Sequence, residues 1–352
     1  MRVRISTRIP FNTAKNILIR GTNWIGDAVM TLPAVRAIRN TFPGARLSIL
    51  AKPWVAEIFK LCKDVDEVIV FQSPGVHSGI TGKLRLAKEL KARRFDAAVL
   101  LQNAIEAAII TWLAGIPVRC GYNSDARGLL LTHSVQRTEA IRKVHQIHYY
   151  LEMVKSLGCL SAEASVHLHP GNEYQIFSEK LLGEHGIGRE SFLIGLAPGA
   201  TYGPAKRWFP ERFAAVGDRM VENLSAQVIL FGSSKDREST DLVQQHANHR
   251  FINLAGKTNL KEAIAVISRC SLFISNDSGL MHVAGALNIP TVAIFGSTNP
   301  VTTSPVGDRS LVIYKGASCS PCLKKTCPTD FKCMDMIGVE EVYEIAKGLL
   351  TQ

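Results

Sequence analysis

Apolar positions fall into short runs, each followed by a turn signal and then by a stretch of helical period, and this alternation continues from about residue 16 to residue 350. In the first half it predicts strands over 16–20, 46–51, 67–71, 97–101 and, briefly, 118–121. Helices are expected over 28–41, 55–62, 83–92, 104–114 and, at greater length, 143–157. Residues 168–173, LHPGNE, interrupt the pattern with a polar connection, and it then restarts. Strands are expected over 192–197, 227–231, 251–253, 272–275, 291–295 and 310–314, with helices over 211–223, 236–247, 260–268, 279–287 and 340–350. Strand and helix in alternation is the rhythm of a doubly wound parallel sheet. A chain of 352 residues exceeds what one core usually spans, so two domains of this α/β class are expected, 1–170 and 171–352. Helix 340–350 is a candidate to pack back on the first domain. Two such sheets are expected to face each other across a cleft, with the chemistry in loops that follow strands.

Composition narrows the class. The hydrophobic fraction of 46% with 20% charged residues fits a folded globular chain. No apolar run reaches the ~18 residues that a membrane span requires, because Asn103 and Glu106 interrupt the longest one, and the basic N-terminus has no apolar signal core, so a cytoplasmic protein is expected. The net charge of +11 points to anionic partners: a nucleotide, or a membrane surface. It is spread over residues 83–94, 137–143 and 206–207, and no zinc-finger spacing, aromatic RNA-binding signature or long basic helix accompanies it, so nucleic acid is disfavoured. Cys62, Cys120, Cys159 and Cys270 stand among apolar neighbours and read as small buried thiols. Cys319, Cys322, Cys327 and Cys333 form a tight cluster able to hold zinc or an iron–sulfur centre or to pair as disulfides, although the spacing matches no standard pattern.

Four loops carry candidate chemistry. Residues 21–30, GTNWIGDAVM, have the strand, glycine-rich turn and helix outline of a phosphate loop, yet Asp27 stands where phosphate would sit. A helix N-terminus keeps such a carboxylate ionised, as a general base must be; the bland alternative is an N-cap worth about 1 kcal/mol. Residues 276–287, NDSGLMHVAGAL, place Asp277 and His282 beside Ser278 and Gly279 at a helix start that favours an anion. Residues 197–210 offer Thr201 and the cations Lys206 and Arg207 to a diphosphate. Residues 231–238 supply Asp236 and Glu238, either as caps or as acceptors for ribose hydroxyls. Gly256-Lys257-Thr258 echoes a Walker motif, but Phe251 replaces its first glycine, and neither a Gly-x-Gly-x-x-Gly nor a Gly-x-Ser-x-Gly run occurs.

Gly26-Asp27, the run 206–210 (KRWFP), the run 276–282 (NDSGLMH) and the run 286–297 (ALNIPTVAIFGS) resemble glycosyltransferase family 9, the lipopolysaccharide heptosyltransferases, over about residues 16–350. The resemblance implies the two-domain GT-B architecture. It implies inverting transfer of L-glycero-D-manno-heptose from ADP-heptose onto the first heptose of the lipopolysaccharide inner core on lipid A, at the inner face of the cytoplasmic membrane, with no cofactor. The alternative is a family member acting on a different core acceptor; the Cys319 to Cys333 cluster resembles the enzymes that add the second heptose more than those that add the first. By this resemblance Asp27 is the general base and Lys206 the diphosphate cation. Asp277 holds heptose hydroxyls, Ser278, Gly279 and His282 form the phosphate-side loop, and Thr258 lies beside adenine. Asp236 is preferred to Glu238 for ribose. Phe209 departs from the family's Lys-x-Trp-Pro run and bears on where Trp208 sits relative to the donor. The N-terminal Arg2, Arg4 and Arg8 are candidate contacts with anionic lipid.

Overall fold

The structure, a computed structural model, describes residues 13–351, so Arg2, Arg4 and Arg8 lie outside the described residues. The chain divides into two compact units at Val166 and His167. The first holds β1 (Asn16–Arg20), β2 (Arg46–Ala51), β3 (Glu67–Val70), β4 (Ala97–Leu100), β5 (Val118–Tyr122) and β6 (His133–Val135), in the order β3-β2-β1-β4-β5-β6. The second holds β7 (Leu193–Ala197), β8 (Gln227–Leu230), β9 (Ile252–Asn253), β10 (Leu272–Asn276), β11 (Thr291–Phe295) and β12 (Ser310–Tyr314), in the order β12-β11-β10-β7-β8-β9. Every pairing is parallel; Ile17, for example, lies between Leu47 and Ala97. Each unit is thus a doubly wound α/β domain, as the alternating pattern predicts.

Central strands are apolar on both faces because helices cover both: β4, β7, β10 and β11 are buried along their whole length. The order of each sheet reverses once, between β1 and β4 in the first unit and between β7 and β10 in the second. At a reversal the flanking connections leave on opposite faces, so the loops after those strands part and expose a crevice at their carboxyl ends.

Some boundaries differ from the pattern. The first helix is Ile25–Thr41, three residues longer at its start than expected, so Asp27 lies inside its first turn and Trp24 is the N-cap residue. The expected helix 143–157 is the shorter Gln146–Ser156, and an unexpected short helix, Glu139–Arg142, precedes it; Thr138 and His145 cap the two starts by accepting from the backbone N–H of Ile141 and Ile147. Helix Asn172–Gly183 occupies part of what reads as a connection; Pro170-Gly171 punctuates its start, and Tyr174, Ser178 and Leu182 bury one face. Strand β6 is too short to show a period. Helix Val339–Leu350 packs in the second unit, where Val342, Tyr343, Ala346 and Leu349 join the core of Trp208 and Phe213.

Candidate active site

In the second unit the sequence-predicted residues stand at one edge, on loops after adjacent strands: Thr201 and Lys206 after β7, Asp236 and Glu238 after β8, Thr258 after β9, and Asp277, Ser278, Gly279 and His282 after β10. Across the β7/β10 reversal the Lys206 ammonium donates to Asp277 Oδ2 at 2.6 Å. The Thr298 hydroxyl, from the loop after β11, donates to the same oxygen at 2.6 Å. Both charged side chains are largely buried, 14% and 6% exposed, so the pair is held rather than solvated. Ser278, Gly279 and Leu280 at the start of helix Gly279–Ala286 are half-exposed, while His282 in its second turn is buried. This is an open helix N-terminus, with backbone N–H groups available to an anion, beside a cation.

Neighbouring side chains fix this geometry. Asn276 accepts from Trp208 N at 2.9 Å and donates to Pro198 O at 2.7 Å, which ties the loops after β7 and β10 together. Trp208 is a core anchor: it is 1% exposed, and its indole N–H reaches Ile337 O at 3.0 Å. The extra residue, Phe209, stands at the N-cap position of the next helix and packs edge-on against Phe331. The cysteine-rich segment braces the Lys206 loop from outside, with Ala205 N bonded to Lys325 O at 3.0 Å and the Tyr202 hydroxyl to Leu323 O at 2.7 Å. A side chain at Gly203 would run into the Lys325 carbonyl.

Asp236 and Glu238 separate. Asp236 is buried, and its Oδ2 accepts from Ser233 N at 2.9 Å and Ser233 Oγ at 2.7 Å in a capping box, with its other oxygen against Gly199. Glu238 is exposed in the first turn of helix Arg237–His246. Thr258 is half-buried beside Gly256, whose positive φ of +68° lets the loop after β9 close on Ser234. Thr201 is exposed.

In the first unit Asp27 is half-buried at the carboxyl end of β1. Helix Gln146–Ser156 packs beside it, and burial, followed by the field of Asp27, pushes the Tyr150 hydroxyl well above its ordinary pKa. The approach of the chain to the helix is tight: a side chain at Gly21 would meet the Phe59 ring at 2.8 Å.

The family model described as Glycosyltransferase family 9 (heptosyltransferase) matches residues 83–332. The chain belongs to glycosyltransferase family 9. Lipopolysaccharide heptosyltransferase 2 of Salmonella typhimurium is 32% identical to it, with 84% of this chain and 87% of that protein covered. The solved structure of E. coli ADP-heptose LPS heptosyltransferase II superposes with a TM-score of 0.80 at 28% identity, covering 96% of this chain and 99% of that one. The family 9 glycosyl transferase of Veillonella parvula superposes with a TM-score of 0.85 at 25% identity, covering 96% and 97%.

This family 9 glycosyltransferase also holds polar groups that sequence reasoning missed. Thr298 is one. The others are Arg20 and Lys52, buried at the carboxyl ends of β1 and β2. Arg20 bonds Leu50 O at 3.2 Å, Asn23 Oδ1 at 2.8 Å and the Gly21 carbonyl, and so staples the loop that leads to Asp27. Burial lowers its pKa to about 10, with the Glu106 carboxylate working the other way. Lys52 lies 3.5 Å from the centre of the Phe71 ring and bonds Ser73 O at 3.2 Å. Desolvation lowers its pKa, Glu106 raises it, and Arg20 and Lys83 lower it further. For the two cations, the signal in the sequence was a basic residue ending an apolar strand or directly following one.

The cysteines divide as follows. Cys120, Cys159 and Cys270 are buried and Cys62 is half-buried; burial raises Cys270 to about 12 and Cys62 and Cys159 to about 11. Cys319, Cys322, Cys327 and Cys333 are free thiols, and among the described residues no group of three or more His, Cys, Asp or Glu side chains is disposed to hold a metal ion.

Proposed function

We propose that this glycosyltransferase transfers L-glycero-D-manno-heptose from ADP-heptose to the first heptose of the lipopolysaccharide inner core, with inversion, while associated peripherally with the inner face of the cytoplasmic membrane. The observation that carries the reading is the Lys206–Asp277–Thr298 cluster beside the open helix start at Ser278, on a chain whose relatives are named heptosyltransferase 2. Lys206 keeps N–H donors beyond the one given to Asp277, and with the Ser278 and Gly279 backbone it offers a diphosphate a cation and oriented dipoles. Asp277 has lone pairs left for sugar hydroxyls, and Thr258 lies beside adenine. For ribose, Glu238 is accessible, whereas Asp236 already builds the loop.

Asp27 accepts the proton of the acceptor hydroxyl as that oxygen bonds to the anomeric carbon. The bond from that carbon to the β-phosphate oxygen breaks, and ADP leaves with its added charge met by Lys206 and the helix dipole. This cradle supplies the neutralisation without a metal ion, so turnover is expected to survive EDTA. The deciding assay follows ADP release from ADP-heptose with heptosyl-Kdo2-lipid A as acceptor. Release with that pair is expected; release only with Kdo2-lipid A, or only with another nucleotide sugar, would replace the reading by a different family 9 transferase.

A further inference from the structure

In the first unit, helices Gly79–Ala92 and Ile105–Leu113 pack side by side, burying Leu86, Ala87 and Leu90 of one and Ala107, Ala108 and Ile110 of the other in one core. The faces they turn outward do not resemble a solvated surface. On Ile105–Leu113 the outward positions are Ile105, Ile109, Trp112 and Leu113, between 37% and 53% exposed. The one charged residue of that helix, Glu106, is bonded to Lys83 of its neighbour at 2.8 Å. On Gly79–Ala92, Ile80 and Leu84 are 78% and 49% exposed. They recur at helical spacing with Lys83, Lys88 and Lys91, so the apolar stripe is framed by lysines. The Lys83–Glu106 pair stitches the two faces into one, and a contiguous exposed apolar patch of this kind marks a binding surface.

We propose that this face docks on an anionic phospholipid bilayer. Ile80, Leu84, Ile105, Ile109, Trp112 and Leu113 enter the boundary between headgroups and acyl chains, while the stems of Lys88 and Lys91 lie along the patch with their ammonium groups at lipid phosphates. Charge complementarity selects this occupant: the two helices carry Lys83, Arg85, Lys88 and Lys91 against two acids, Glu106 paired with Lys83 and Glu89 3.2 Å from His77, and the chain bears +11 overall. Both helices follow parallel strands, so their first turns stand at the carboxyl edge of the first sheet, the edge that carries Asp27. A lipid-anchored acceptor therefore reaches that edge without leaving its bilayer. This last step rests on the acceptor proposed above; the docking surface does not.

The test is co-sedimentation of the full chain with vesicles of phosphatidylglycerol and phosphatidylcholine, compared with phosphatidylcholine alone, for the unaltered protein and for the double variants Ile109→Asp/Trp112→Asp and Lys88→Glu/Lys91→Glu. The unaltered protein is expected to prefer the anionic vesicles, and each variant to lose roughly tenfold or more of that binding. Both variants are expected to keep their thermal melt and their ADP release with a deacylated, water-soluble acceptor, and to lose turnover on vesicle-embedded acceptor. Binding unchanged in both variants overturns the proposal. So does light scattering that shows a dimer broken by Ile109→Asp/Trp112→Asp, since the face would then serve a second copy. Loss of vesicle binding in the variants, with no turnover on either acceptor by the unaltered protein, would keep the docking surface and remove the acceptor assignment.

Discussion

Asp277 Oδ2 receives both the Lys206 ammonium and the Thr298 hydroxyl, so the residue that the family resemblance implies for heptose hydroxyls also positions the cation proposed for the diphosphate. Removing it strands a largely buried lysine. Asp277→Ala is therefore expected to cost about 3 kcal/mol or more in denaturant unfolding, and adding Lys206→Met to recover part of that loss; strictly additive effects would show that the pair is not coupled. Asp27 is tested differently. Trp24 occupies the N-cap position, so the modest cap loss expected of a capping aspartate does not apply. Asp27→Asn is expected to lower turnover by roughly 10²–10⁴-fold with ADP-heptose binding retained, and unchanged turnover would remove it from the mechanism. Asp27, Lys206 and Asp277 were legible as candidates because each follows an apolar run, Asp27 in the first turn of the helix and the other two in loops. Arg20, Lys52 and Thr298 were not, because a polar residue at a strand end looks like a solvated end until the neighbouring strands show that it is buried.

At the scale of elements, the parallel strands were legible from their continuous apolar runs, and the errors lay where local chemistry is weak: a three-residue strand, a helix opened by Pro170-Gly171, and a four-residue helix capped by Thr138. Edge strand β3 is held by charge. Glu67 bonds Arg93 at 2.5 Å and Arg46 at 3.1 Å, linking β3 to β2 and to the end of helix Gly79–Ala92. Burial works to raise its pKa, but the hydrogen bonds and charges of Arg93 and Arg46 outweigh it, and the carboxyl titrates below its ordinary value of 4.5. A depressed folded-state pKa contributes stability that is present above the unfolded value and is lost as pH falls through the folded one. Glu67→Gln is therefore expected to flatten the loss of stability below about pH 4.5 and to lower stability at neutral pH; an unchanged acid limb in thermal melts would assign that loss to other carboxylates.

At the scale of the whole molecule, donor binding is proposed for the second unit. Amide hydrogen exchange with ADP added to the full chain is expected to show protection in the loops after β7, β8, β9 and β10; protection confined to the loops of the first unit would reverse the assignment of the units. No helix among the described residues is long and apolar enough to cross a membrane. The sequence by itself determined the class: strand and helix periods are local properties, and loops after strands can be found by counting. Only the tertiary structure decided the rest. Strand order sets which loops share a reversal point, and it brings Thr298 and Lys206, far apart in the chain, onto one carboxylate oxygen. Packing decides exposure: it buried Trp208, which stands in a motif, and left Trp112 outside, which stands in an apolar run. Burial depends on neighbours distant in sequence, and no local pattern contains them.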